Sequence, residues 1–415
     1  MALTKVRGSA VDGGTISTET AGTNNLILGS TAGDSIASGG NENTCIGDKA
    51  GTALTTGDAN VAVGFEALAT EDANGQNVAV GYRALKTLNA GADAQNTTVG
   101  YNAGTSITTG VENVLVGATA GDAITDADFN VGIGWGALGA NVLGSKSVAV
   151  GTGTLDSQNP ASATDMQNTA VGHGAGGAVT TGTKNTLIGA LAGDAITTGE
   201  HNSALGVNAL TSLTEGDQNV ATVRGGETLT TGSGNVCLGY QADTPANNTN
   251  QSIVIGYQVT GVGSDNFTIG HGNSDSNIAF GATSISAPSD QRYKEDIETS
   301  TAGLSFIKDL RPVTFKWKKE KDLPKNHRAY VEDSEKRTIN NYTNHGFVAQ
   351  EVKAVIDAHS EIKDGFDMWA TDGQADGGRQ RIGDASLMPI MVKAIQELSA
   401  KNDALEARIK KLEDG

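Results

Sequence analysis

The chain has 415 residues, a formal net charge of −18, and 37% hydrophobic but only 4% aromatic residues. That length exceeds one ordinary compact domain, so at least two units are expected. Residues 1–288 carry 8 Lys+Arg against 24 Asp+Glu, and residues 289–415 carry 21 against 23, so the N-terminal part is acidic and should repel nucleic acid and anionic membrane surfaces.

No apolar run reaches 18 residues, and the first residues hold no signal-length apolar core; neither membrane insertion nor a cleaved leader is expected. Two cysteines, Cys45 and Cys237, and six scattered histidines give no disulfide framework and no metal-ligand spacing. The cysteines read as small apolar filler. Neither a cofactor nor a metal is expected.

From residue 25 a unit repeats: Asn, two variable residues, an aliphatic residue, Gly, two more, then usually Ala, as in "NVAVGFEAL" and "NTLIGALAG". Its Asn stands at 25, 43, 60, 77, 96, 113, 130, 168, 185, 202, 219, 235 and 266, with Ser147 and Ser252 in its place twice, which makes 15 copies mostly 17 residues apart. A regular period of this size predicts stacked supersecondary units. The three residues after each Asn read as a strand, with the first and third on one face and the middle one on the other. None of these 45 positions is charged, and a strand apolar on both faces requires cover on both. The coil interior covers one face; an identical neighbouring chain is the expected cover for the other. The Gly after the strand suits a sharp corner, and the Asn suits a turn that bonds backbone and stacks on the next rung. A second short strand is expected in "AGDAITTG" (192–199), "AGTSITTG" (103–110) and "AGTALTTG" (50–57). The fold class is therefore mainly β: a parallel β-roll or β-solenoid of about 15 rungs, roughly 70 Å long at ~4.8 Å per rung.

These units resemble the head repeats of trimeric autotransporter adhesins, over residues 25–270 and with a longer period here. The resemblance implies left-handed winding and a trimer. A calcium-binding roll would need recurring Gly-Gly-x-Gly-x-Asp units. Asp34, Asp122 and Asp194 do not recur in every rung and read as solvated corners.

After a linker at 271–288 the character changes. "SDQRYKEDI" (289–297), "LRPVTFKW" (310–317), "HGFVAQEV" (345–352) and a helix over 386–413 follow in order. "LRPVTFKW" alternates as a strand and "FVAQEVKAVI" has one apolar helical face. The last helix carries Met388, Met391, Ile395, Leu398, Asn402, Leu405, Ile409 and Leu412 at 3-4 spacing, a coiled-coil heptad. Ile and Leu with a core Asn favour two strands in an isolated parallel coil.

In this order the four blocks resemble the intramolecular chaperone domain of endosialidase-type phage tailspikes and fibres, over residues 289–415. The resemblance implies an α+β domain that trimerises, with Ile395, Leu398, Asn402, Leu405, Ile409 and Leu412 at the trimer seam, and that in many members cuts itself off before the Ser of a Ser-Asp-x-Arg-x-Lys motif. The implied scissile bond is Pro288–Ser289, with Ser289 as nucleophile and Lys294 as general base. A serine hydroxyl needs such a base, and a lysine serves only when neutral, through burial or a nearby cation. Arg292 would supply that field or hold Asp290. At most, then, the enzyme activity is that of a self-cleaving serine peptidase, with no external substrate.

The expected protein is a bacteriophage tail fibre acting in host attachment and located in the virion after synthesis in the host cytoplasm. It is expected to be a homotrimer, with residues 1–24 docked on other virion tail proteins and a host cell-surface receptor as partner. Rung tips and the insertion at 156–166 are candidate receptor contacts. Two alternatives remain: a cellular trimeric adhesin, which would need a secretion signal and a membrane anchor, and a glycan-degrading tailspike, which would need a carboxylate pair.

Overall fold

The computed structural model describes residues 16–17, 20–282, 285, 289–325, 329–362, 366, 368–371, 380–383 and 386–414. The chain forms two compact units, Met1–Ser289 and Asp290–Gly415.

The first unit is a parallel β-solenoid. Among the described residues, 15 short strands stack in parallel and in register, from Leu26–Leu28 to Asn266–His271. A typical step pairs Val61 with Val78, Ala62 with Ala79 and Val63 with Val80. The middle residue of each strand is buried inside the coil and its neighbours face outward, as alternation dictates. Both ends of the stack are closed by an antiparallel partner, Ile16–Ser17 at one end and Ser274–Ala279 at the other. This protects the open edges that a parallel stack would otherwise present.

A column of asparagines holds the rungs together. The Asn113 Oδ1 accepts the Asn130 backbone N–H at 3.0 Å, while its Nδ2 donates to the Ala127 carbonyl at 2.9 Å. One side chain thus closes its own coil and ties it to the next. The same pair of bonds recurs at Asn43, Asn185, Asn202 and Asn219, all of them fully buried. Ser147 is too short to do this. The buried Gln158 bonds the Ser147 Oγ and accepts from the Asn168 Nδ2 at 2.9 Å, filling the gap. The glycine after each strand is stacked as tightly: at Gly81 (φ +138°) a Cβ would fall 2.2 Å from the Gly100 carbonyl oxygen.

The second strand expected in "AGDAITTG" and its counterparts does not form; these segments are turns. Leu191 and Gly193 have φ of +55° and +57°, and left-handed residues cannot belong to an extended strand. Inter-rung backbone bonds there are isolated ones, as in Gly193 N–H to the Ala209 carbonyl and Thr197 N–H to the Thr214 carbonyl, both 2.9 Å. Among the described residues a second strand pair forms at the insertion, Gly144–Ser145 with Thr164–Asp165, and a single parallel bridge joins Asp243 to Thr260.

In several rungs a large and a small interior residue are chosen as a pair. Leu115 faces Gly121, where a Cβ would meet the leucine's methyls at 2.8 Å; Leu187 faces Gly193, where it would meet them at 2.7 Å. Where the strand offers Ala62, Ala79, Gly132 or Ala204, the corner residue is instead Leu68, Leu85, Leu138 or Leu210, fully buried although its φ lies between +48° and +59°. Filling the core offsets the backbone strain of a left-handed leucine. Cys45 and Cys237 are buried in the same interior, and burial pushes both thiols up to about 12, which makes them inert filler.

The second unit is α+β. Helix α1 (Leu304–Asp309) is followed by strand Val313–Phe315, paired antiparallel with Asn344–Gly346. Then come α2 (Ala349–Ala358), the antiparallel pair Trp369–Thr371 and Gln380–Ile382, and α3 (Leu387–Glu413). Phe306 of α1 is fully buried and packs with Val352, Ile356, Met368, Leu387 and Ile390. His359, just past α2, meets the Phe306 ring edge-on at 5.3 Å. Its Nδ1 lies 2.8 Å from Glu361 Oε1 and its Nε2 lies 2.9 Å from Asp309 Oδ2. Only the imidazolium donates from both nitrogens, and Glu361 first, then Asp309, raise the pKa of His359.

Two tests follow from this packing. Leu115→Ala should cost about 3 kcal/mol by leaving a cavity, and Gly121→Leu about 1–3 kcal/mol by overpacking. The double variant should recover more than half of the summed loss, because its rung then has the interior pattern of the Ala79–Leu85 rung, with Ile124 in the place of Leu88; strictly additive losses in denaturant melts would refute the pairing. For His359, the raised pKa means that the clamp is complete below the unfolded value of ~6.5 and is lost as pH rises through the folded value. Hydrogen-exchange protection of α1 and α2 should therefore weaken on going from pH 6 to pH 9, and His359→Gln should flatten that trend. A profile unchanged by the substitution would exclude the clamp.

Candidate processing site and assembly surfaces

The segment after Ser289 is one capped turn. Asp290 is the N-cap of a 3₁₀ turn over Gln291–Tyr293, its Oδ1 accepting the Arg292 N–H at 2.8 Å, and Lys294 closes the turn with its N–H on the Gln291 carbonyl at 3.1 Å. Small acidic residues suit this position because their carboxylate satisfies an N–H that the turn cannot. Of the two roles open to Arg292, the structure shows the second: its Nε and Nη2 bond Asp290 Oδ2 at 2.9 and 2.6 Å. Arg292 holds the Asp290 carboxyl below the usual range, and Asp290 raises the guanidinium in return. The Arg292 charge is balanced where it stands, so the cation that a Lys base would use is already engaged.

Ser289 and Lys294 thus flank a single turn, and both are exposed in the single chain. Pro288, whose carbonyl would be attacked, lies outside the described residues.

Two apolar stripes also lack cover from the chain itself. On the solenoid the outward strand positions are partly or fully exposed, including Ile133, Val171, Ile188 and Val220 at 37–39% and Leu205 at 55%. On α3 the heptad residues Ile395, Leu398, Leu405, Ile409 and Leu412 are between 54% and 81% exposed, with Met388 and Met391 on the same stripe. Asn402 sits among them, its Nδ2 on Glu406 Oε1 at 3.0 Å. The helix buries a different face, Leu387, Ile390 and Ala394, against its own unit. Beyond Glu397 every described residue of α3 is exposed.

Three residues that the sequence did not single out organise these surfaces: Gln158 in the ladder, His359 between helices, and Glu397, which reaches from α3 to the Leu304 N–H. Gln158 has a legible signal, a polar residue in the column where other rungs have Leu54, Leu88 or Ile107. The other two have none, because their partners are 50 and 93 residues away.

Residues 289–361 match the model of the family described as the chaperone of endosialidase. That stretch runs from Ser289 through α1, both strands of the first hairpin and α2. No curated protein and no solved structure matches the chain. The chain therefore joins a β-solenoid repeat unit to a region of the endosialidase-chaperone kind.

Proposed function

We propose that this protein is a homotrimeric structural fibre of a bacteriophage tail, acting in host attachment, with residues 289–415 as its intramolecular chaperone. The observation that carries the reading is the chaperone-of-endosialidase match at 289–361 directly behind a solenoid, each unit bearing an uncovered apolar stripe. Monomeric proteins rarely leave extended apolar surfaces in water. The distal part of α3, with no packing of its own, is too short to be a stable isolated helix. Sister copies cover both stripes with the residues already present. Asn402 then meets its counterparts in the seam and sets their register. Residues 1–24 join the fibre to other tail proteins, and rung tips or the insertion at 156–166 face a host cell-surface receptor.

The same reading includes self-cleavage at Pro288–Ser289. Ser289 Oγ attacks the Pro288 carbonyl carbon, and its proton passes to Lys294 Nζ. The C–N bond breaks as that proton moves on to the departing Ser289 nitrogen, leaving an ester. Water then hydrolyses the ester to a Pro288 carboxylate and a new N-terminal Ser289. Lys294 must be desolvated to act as a base, and in one chain it is exposed. Covering of the turn by a sister copy supplies that condition, so cleavage reports completed assembly.

Denaturing and native mass spectrometry test both parts together. The unaltered chain should give fragments 1–288 and 289–415, and its solenoid fragment should migrate as a trimer. Ser289→Ala and Lys294→Ala should each leave one full-length trimeric species. Fragments from Ser289→Ala would remove the assigned nucleophile, and a single-chain native mass would remove the trimer. On the α3 stripe, Leu405→Asp with Leu412→Asp should prevent assembly and slow cleavage at least ~10-fold, since each buried leucine contributes roughly 1.5–3 kcal/mol. Undiminished cutting by that monomer would break the link between assembly and cleavage. A sugar-release assay on host envelope separates binding from glycan degradation.

A further inference from the structure

One turn of α3 serves two surfaces. Ile395 and Leu398 lie on the exposed stripe. Glu397, between them, faces its own unit, where Oε2 accepts the Leu304 N–H at 3.0 Å. That bond answers a need in α1, a six-residue helix whose N-cap, Gly303, provides no side-chain acceptor. Orphan N–H groups at a helix start require one. The fit is close: a Cβ on Gly303 would lie 2.8–2.9 Å from three atoms of the Glu397 carboxyl group. Lys393, one turn earlier on α3, lies 3.7 Å from the same carboxylate.

Glu397 also stands at a boundary in α3. Ala394 is the last buried residue of the helix, and past Glu397 every described residue is exposed. In a single chain the unpacked distal turns fray, since a short helix in water gains little by itself. Fraying that reaches residue 397 takes the cap away from α1. Association along Ile395, Leu398, Leu405, Ile409 and Leu412 holds the same turn in place.

We propose that Glu397 is the positioning residue through which assembly of α3 is felt at α1. The proposal rests on the trimer reading. It assigns Glu397 no contact with the reacting atoms; it sets the order in which the unit becomes rigid, with the distal coil first and α1 after it.

The test uses the full chain with Ser289→Ala, so that it stays whole, and reads native mass together with amide exchange over 304–309. The Ser289→Ala trimer should protect these amides about tenfold more than a monomer made by adding Leu405→Asp and Leu412→Asp, which lie far from α1. Adding Glu397→Ala instead should leave the trimer mass intact while α1 exchanges as fast as in the monomer. Adding Glu397→Gln keeps an acceptor oxygen and should retain most of the protection, which also guards against reading a folding defect as a lost cap. A trimeric Glu397→Ala chain with full α1 protection overturns the inference, as does α1 protection equal in monomer and trimer. A single-chain mass for Ser289→Ala overturns the trimer reading and this inference with it.

Discussion

The solenoid depends on the asparagine amide bonded along the stack. Each rung contributes a strand of only three residues in most cases, too short to fix a coil by its ladder bonds alone. The buried Asn adds an acceptor for the next rung's N–H and a donor for its own closing turn. An amide suits this task because it carries both functions on one rigid plane. In a dry interior such bonds are strong when made and costly when missing. Where Ser147 interrupts the column, Gln158, eleven residues on, links the Ser147 hydroxyl to the Asn168 side chain.

With the coil closed this way, its interior takes only small or single large side chains, and the outward strand residues, mostly aliphatic with Thr97, Thr169, Thr186 and Ser203 among them, are left partly exposed. The second unit repeats that logic in helical form. Its core uses one face of α3, and the heptad face is left over. Both units therefore end their own folding with apolar side chains exposed to water. The acidity of the solenoid is compatible with this, because the outward strand positions carry no charge and the carboxylates sit at turns. Asp58, Asp128 and Asp217 are held there by backbone N–H groups of the preceding rung.

Several elements were legible before any fold was known. The period, the strands after each Asn, the inward middle residue and the helices in "FVAQEVKAVI" and over 386–413 follow from spacing and alternation. The pairing of Leu115 with Gly121, and of Ala62 with Leu68, was present in the text too. Those positions lie six residues apart and look related only once the corner folds them face to face. The strand expected in "AGDAITTG" is instead a turn that points Ala192 and Ile196 inward. The left-handed residues that make it a turn carry no mark when they are leucines.

By itself, then, the sequence determined the repeat, the face each strand turns inward, and the heptad on the last helix, because these are local periodicities that any chain with this spacing must express. Tertiary structure decided what those periodicities could not: that the Thr-rich segment turns, that Arg292 is engaged by Asp290, that His359 holds two carboxylates, and that α3 buries Leu387, Ile390 and Ala394 while its heptad stays outside. The reason is that pairings such as Glu397 with Leu304 join residues 93 positions apart, and which of many equivalent carboxylates meets a given N–H is settled only when the chain is closed around it.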